Sequence, residues 1–321
     1  MIKTIGVLTS GGDAPGMNAA IRAVVRTAIN AGLTVKGIKH GYAGLLKEDF
    51  VDMNSRSVAG ILTRGGTILY TARCPEFHQP ETQKKAAEIL KKHEIDALVV
   101  IGGDGSFRGA LALSEYGINV MGVPATIDMD LGCTEYTIGF DTAINTAMDC
   151  LDKIRDTSLS HERVSVVEVM GRHCGYIALY CGIANGVEDI LLPEDYDHDE
   201  FRIIETILEN RAKGKKIHII LNAEGIGDSV GMAERIEKAT GADSRATILG
   251  YLQRGGSPTC LDRVNASVMG AKAIEAILAG KENRAIVQQQ GVFTDLDMSV
   301  ALAKKRELPA DFLDISKKLI R

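Results

Sequence analysis

Two glycine–acid turns about ninety residues apart carry the chemistry that this chain announces first. Ser10-Gly11-Gly12-Asp13-Ala14-Pro15-Gly16-Met17-Asn18 follows the aliphatic run Ile5–Thr9, and Gly102-Gly103-Asp104-Gly105-Ser106 follows Ala97–Ile101. Each leads into a stretch with a helical pattern. A strand, a glycine turn and a helix start form an anion site, because bare N–H groups and the helix dipole both face the charge. Glycine suits such a turn because a Cβ would block the backbone's approach. Asp104 is then a candidate metal ligand beside phosphates. A third segment, Pro124-Ala125-Thr126-Ile127-Asp128-Met129-Asp130, follows Val120–Val123. Two carboxylates at i and i+2 suit phosphoryl transfer to an alcohol, one accepting the hydroxyl proton and the other holding Mg²⁺ through water. The same pair also suits a solvated turn.

Arginines recur at the ends of the expected elements: Arg73, Arg163, Arg172, Arg245 and Arg254. The planar guanidinium fork is suited to phosphate, and equally to surface ion pairs. Gln253-Arg254-Gly255-Gly256-Ser257-Pro258 sets an arginine beside two glycines, as a phosphate loop does. Lys213-Gly214-Lys215-Lys216 closes a helical stretch, where cations ordinarily offset the dipole. His161, His173 and His218 lack metal spacing and are assigned no chemistry.

These residues need a frame to hold them. Short apolar runs at Ile5–Thr9, Thr34–Ile38, Ala97–Ile101, Val120–Val123, Val164–Met170, Ile190–Leu192, Ile217–Leu221 and Ala246–Leu249 read as strands buried on both faces. Helical spacing of apolar residues marks Met17–Ala31, Thr82–His93, Thr142–Arg155, Glu200–Ala212 and Ala266–Ala279. The alternation predicts an α/β chain with doubly wound, mainly parallel sheets covered by helices. The active loops are expected at the carboxyl ends of the strands.

The 321 residues are enough for two domains. With 45% apolar and 25% charged residues the composition is that of a globular protein, and the absence of Trp predicts an aliphatic core. A net charge of −5 argues against general nucleic-acid binding. No run reaches the roughly 20 apolar residues of a membrane span. The N-terminal residues enter a strand directly, so no signal peptide is expected. The six cysteines show no CxxC pair or zinc spacing and read as reduced thiols of a cytoplasmic protein.

Over essentially its whole length the chain resembles the bacterial ATP-dependent phosphofructokinases. The shared runs are Ile5 through Ala20, Ile101 through Ser106, Val166 through Arg172 and Gln253 through Pro258. The resemblance implies transfer of the ATP γ-phosphoryl group to the 1-hydroxyl of fructose 6-phosphate, with Mg²⁺. It implies two doubly wound domains: an ATP-binding domain of residues 1–138 plus 251–305, and a sugar-phosphate domain of 139–250 plus 306–321. Asp128 corresponds to the base, Asp104 and Asp130 to the metal residues, and Gly12, Arg73, Thr126 and Arg172 to the groups that stabilise the transferring phosphoryl. Nucleotide contacts would come from Gly12, Arg73, Cys74, Gly103, Asp104, Gly105 and Ser106. Sugar-phosphate contacts would come from Thr126, Ile127, Asp128, Met170, Gly171, Arg172, Glu224, Tyr251 and Arg254. Arg163 and Arg245 would arrive from a neighbouring subunit of a homotetramer. An effector site for ADP and phosphoenolpyruvate would comprise Arg22, Arg26, Arg155, Glu188, Lys213, Lys215 and Lys216.

The chain departs from the family at telling positions. Ala125 and Met129 stand where the catalytic turn usually has Gly and Asn. If position 125 requires a positive φ, alanine there costs about 1 kcal/mol. Tyr251 stands at a usual histidine, which predicts a higher KM for fructose 6-phosphate. Ser55, Gly60 and Ile217 replace an Arg, an Asp and a His of the effector site, so regulation is expected to be weak. Three alternatives compete with this reading. Pyrophosphate-using relatives carry an aspartate and a lysine where this chain has Gly105 and Ala125, which favours ATP. A weakly active regulatory homologue would explain Ala125, Met129 and Tyr251 but not the intact aspartates. A dinucleotide-binding dehydrogenase is opposed by the spacing of the first turn.

Overall fold

A computed structural model of the chain describes residues 2–196 and 199–319. In chain order the elements are β1 (Thr4–Ser10), α1 (Met17–Asn30), β2 (Thr34–Ile38), α2 (Gly41–Leu45), β3 (Phe50–Met53), α3 (Pro80–Lys92), β4 (Ala97–Gly102), α4 (Asp104–Ser114), β5 (Asn119–Pro124), α5 (Phe140–His161) and β6 (Val164–Val169). Then follow α6 (Tyr176–Asn185), β7 (Asp189–Leu191), α7 (Glu200–Ala212), β8 (His218–Ala223), α8 (Ser229–Thr240), β9 (Ser244–Ile248), α9 (Cys260–Leu278), β10 (Arg284–Gln289), β11 (Val292–Asp297), α10 (Met298–Ala303) and α11 (Ala310–Leu319). Short 3₁₀ turns cover Pro75–His78 and Gly250–Arg254.

The chain divides into two compact units, Met1–Thr142 with Arg254–Arg306, and Ala143–Gln253 with Glu307–Arg321. The first holds a seven-stranded sheet in the order β11-β10-β5-β4-β1-β2-β3. Its inner pairs are parallel, and only the edge pairs β2–β3 and β10–β11 are antiparallel. The second holds a four-stranded, all-parallel sheet in the order β7-β8-β6-β9. The α/β class and mainly parallel sheets expected from the sequence are those observed.

Central strands are buried along their length because helices cover both faces. Every residue of β4 is buried, as is every residue of β8. In the first unit Leu8, Ile38, Leu98, Val100, Phe107 and Leu113 join one core cluster. In the second, Val164, Val166, Ile220, Met232 and Ile236 join another. Each fully buried Leu, Ile or Val of this kind contributes about 1.5–3 kcal/mol. Strands β3, β10 and β11 were not expected from the sequence, and neither were α2, α6, α8, α10 and α11.

Candidate active site

The register of the first sheet brings the three chemical segments side by side. Ser10, the last residue of β1, pairs with Gly102, the last of β4. Gly102 in turn pairs with Pro124, the last of β5. Three adjacent strands therefore end at one level, and the turns at 11–16, 103–106 and 125–130 leave it together. Hydrogen bonds tie them to one another. Ser106 Oγ donates to Ser10 O at 3.0 Å, and Ala125 N donates to Gly102 O at 3.0 Å. Thr71 Oγ1 donates to Gly11 O at 2.6 Å, which brings the segment carrying Arg73 and Cys74 to the first turn. Arg73 itself is exposed.

Gly12 is a close-approach glycine. Its Cβ would lie 2.5 Å from Nη1 of Arg254, which donates to Asp13 O at 3.0 Å. Arg254 thus lies along the first turn, within the same unit. Gly105 has the opposite surroundings, with no atom within 4 Å of where its Cβ would be. The second turn is open at this position.

In the third turn Thr126 and Asp128 are buried, at 8% and 4% exposure. Asp128 N donates to Thr126 Oγ1 at 3.1 Å, closing a tight local loop. Ile127 is fully buried and can offer a ligand its backbone only. Asp130 is half-buried. The condition for strain at Ala125, a positive φ, is not met. Ala125 is absent from the described residues with positive φ and bridges to Ile138 as extended backbone. The left-handed residue is Met129, at φ 58°. An asparagine, which the resemblance led us to expect there, tolerates that region, whereas methionine is strained by about 1–2 kcal/mol. The Met129 side chain is buried, and its sulfur accepts from Thr137 Oγ1 at 3.4 Å.

One anchor behind this turn had no signature in the sequence. Asp262, fully buried on α9, accepts from Tyr136 Oη at 2.6 Å, Gly139 N at 2.6 Å, Thr142 N at 2.9 Å and Thr142 Oγ1 at 2.5 Å. Ile138, between these partners, donates to Pro124 O at 3.0 Å. Burial pushes the Asp262 carboxyl above the usual range even against those hydrogen bonds. An acid-to-helix spacing alone does not reveal such a role.

Asp104 opens α4, where a carboxylate is favoured by the helix dipole. Its side chain is 37% exposed. Among the described residues no group of three or more His, Cys, Asp or Glu side chains converges to hold a metal. Mg²⁺ commonly binds through one or two carboxylates with phosphate oxygens and water, rather than in an all-protein cage. An accessible Asp104 beside an open glycine turn fits that mode. Cys74 caps the 3₁₀ turn at Pro75, and burial, then the nearby Glu76, pushes its thiol up to about 11. It is a neutral thiol near pH 7 and no nucleophile.

The second unit repeats the device. Val169, ending β6, pairs with Ala223, ending β8, and Glu168 pairs with Ile248, ending β9. Met170, Gly171, Arg172, Glu224 and Tyr251 follow these ends. Gly171 and Arg172 both have positive φ, at 139° and 54°. Arg172 N donates to Glu224 Oε1 at 2.5 Å, and Glu224 N donates to Val169 O at 2.9 Å. Glu224 thereby holds an exposed catalytic candidate in a strained conformation. Met170 N donates to Oε1 of the buried Gln253 at 2.9 Å. Tyr251 is 83% exposed.

Arg163 and Arg245 lie at the other end of this sheet. Arg163 precedes β6 and pairs with Asp243 at 3.0 Å, and Arg245, near the start of β9, pairs with the same Asp243 at 2.7 Å. Six strand residues, roughly 20 Å, separate them from Met170.

Four of the six cations expected at the effector site have internal partners. Arg155 donates to Asn185 Oδ1 at 2.7 Å and Asn185 O at 2.9 Å. Lys213 pairs with Glu209 at 3.6 Å, Lys215 with Glu188 at 2.9 Å and Lys216 with Glu162 at 2.5 Å. Glu188 is buried and also accepts from Ile219 N at 2.7 Å. Arg22 and Arg26 sit one turn apart on α1, in the first unit.

A doubly wound sheet with glycine turns at adjacent strand ends suits a nucleotide-dependent phosphotransferase. Comparison with known proteins makes the assignment specific. The phosphofructokinase family model matches residues 4–277. An ATP-dependent 6-phosphofructokinase of Clostridium botulinum is 55% identical over 316 residues, covering 98% of both chains. One from Clostridium acetobutylicum is 54% identical over 319 residues, covering 99% of both. The solved phosphofructokinase of Saccharomyces cerevisiae superposes with a TM-score of 0.86 at 36% identity, over 94% of this chain and 45% of that longer one. The chain belongs to the phosphofructokinase family.

Proposed function

We infer that the chain is an ATP-dependent 6-phosphofructokinase, transferring the γ-phosphoryl group of MgATP to the 1-hydroxyl of fructose 6-phosphate to give fructose 1,6-bisphosphate and ADP. Identity of 54–55% to such enzymes along almost the whole chain supports the activity. The observation that carries the site is the level at which β1, β4 and β5 end, Ser10 beside Gly102 beside Pro124.

In this reading the turns of Gly12 and of Gly103, Asp104, Gly105 and Ser106 hold the triphosphate, with Arg73 and Cys74 alongside. Asp128 accepts the hydroxyl proton, and its burial keeps competing water away. Asp104 and Asp130 would hold Mg²⁺, which when bound neutralises phosphate charge. Gly12, Thr126, Arg73 and Arg172 stabilise the transferring group with N–H, hydroxyl and guanidinium donors. Ile127, Met170, Gly171, Glu224, Tyr251 and Arg254 take the sugar phosphate.

Arg163 and Arg245 would reach a neighbouring subunit's substrate in a homotetramer. Their place at the amino ends of β6 and β9 supports that role. The hydrogen bonds of Arg155 and the ion pairs of Lys213, Lys215 and Lys216 support weak control by ADP and phosphoenolpyruvate, because an effector must displace each partner. No helix among the described residues is long and apolar enough to cross a membrane, and a cytoplasmic, glycolytic setting suits the reaction. The test is to supply fructose 6-phosphate with MgATP or with magnesium pyrophosphate and follow fructose 1,6-bisphosphate. Product from MgATP alone is expected. Product from pyrophosphate alone would overturn the donor assignment.

A further inference from the structure

Asp104 carries a resident counter-ion. One turn along α4, Arg108 grips both oxygens of its carboxylate: Nε donates to Oδ2 at 2.7 Å and Nη2 to Oδ1 at 3.0 Å. The acid precedes the base at i,i+4, the favourable order on a helix, and the two parallel bonds are the bidentate arrangement that guanidinium makes with carboxylate. Arg108 is 60% exposed, so it is free to swing away without unpacking anything. Beside the pair, Gly105 leaves the helix start uncovered.

We propose that Arg108 is an electrostatic gate on the metal-binding carboxylate, exchanged for the divalent cation when the nucleotide enters. The proposal rests on the assignment of Asp104 to the metal. A divalent cation on either oxygen draws on the same carboxylate charge and lies close to the guanidinium, so metal binding has to weaken the bidentate pair and overcome the repulsion of the arginine's charge. Arg108 therefore weakens the metal's contribution to nucleotide binding. In the metal-free protein it keeps Asp104 neutralised, so the approaching phosphates do not meet a bare negative charge. Arg108 sets how steeply nucleotide binding depends on the cation.

The experiment is isothermal titration of adenylyl imidodiphosphate into the full-length protein, with Mg²⁺ and with EDTA. The ratio of the two affinities reports the metal's contribution without turnover. Arg108→Gln is expected to enlarge that ratio about two- to fivefold, the range for losing an exposed helical ion pair and a like charge at about 4 Å in water. Asp104→Asn is expected to collapse the ratio toward that of a nucleotide binding without metal. If Asp104→Asn reduces the ratio but Arg108→Gln leaves it at the wild-type value, the gate is wrong and the metal assignment stands. If Asp104→Asn leaves the ratio unchanged, the metal is held elsewhere and both fail.

Discussion

At Met129 a buried thioether sits on a left-handed backbone, and at Ala125 a methyl group sits on an extended one. These two positions of the turn therefore have different costs. Returning Ala125 to Gly relieves no φ and adds freedom to the unfolded chain, so Ala125→Gly should destabilise by about 1 kcal/mol. Met129→Asn would relieve about 1–2 kcal/mol of strain, but it gives up a buried side chain worth about 1.5–3 kcal/mol and buries an amide. Burial wins, and that variant should also lose stability. Urea unfolding of both checks this, and a gain for Ala125→Gly would return the strain to position 125.

Among elements, the turn after β6 depends on the turn after β8. Glu224 accepts from Arg172 N and so keeps that residue at φ 54°. Glu224→Ala should cost about 1 kcal/mol of stability, yet lower kcat/KM for fructose 6-phosphate about ten- to a hundredfold by misplacing the guanidinium. Steady-state kinetics beside thermal unfolding separates the two, and a proportionate loss of both would reduce Glu224 to a structural tie. How far such details are legible in sequence depends on their cause. Apolar strand runs were legible: Thr34–Ile38 has its expected limits, and the fully buried Ala97–Ile101 differs from β4 by one residue. Strands β3 and β11 were not, because their positions are mostly exposed or half-buried and they lack the continuous apolar run. Helix α6 was hidden because it is apolar on nearly all sides and shows no stripe. The glycine turns were legible because their chemistry is local. The Asp262 anchor and the Gln253 contact to Met170 join residues more than eighty positions apart, which no spacing encodes. Arg108 was within reach, four residues after Asp104.

For the whole molecule, placing Arg163 and Arg172 at opposite ends of one sheet predicts complementation between subunits. Arg163→Ala and Arg172→Ala proteins should each be poor enzymes. Mixed after dissociation and reassociated, they should regain activity, since a site between unlike chains has both arginines. No recovery would mean that both serve the site of their own chain. The central claim, that the turns at the ends of β1, β4 and β5 perform phosphoryl transfer with Asp128 as base, is tested most directly by a coupled steady-state assay with MgATP and fructose 6-phosphate on the native protein and Asp128→Asn. The account predicts turnover in the kinase range of about 1–100 per second, falling about 10²–10⁴-fold in the variant, with nucleotide binding retained. Equal turnover by the two proteins, or none by the native one, would contradict it.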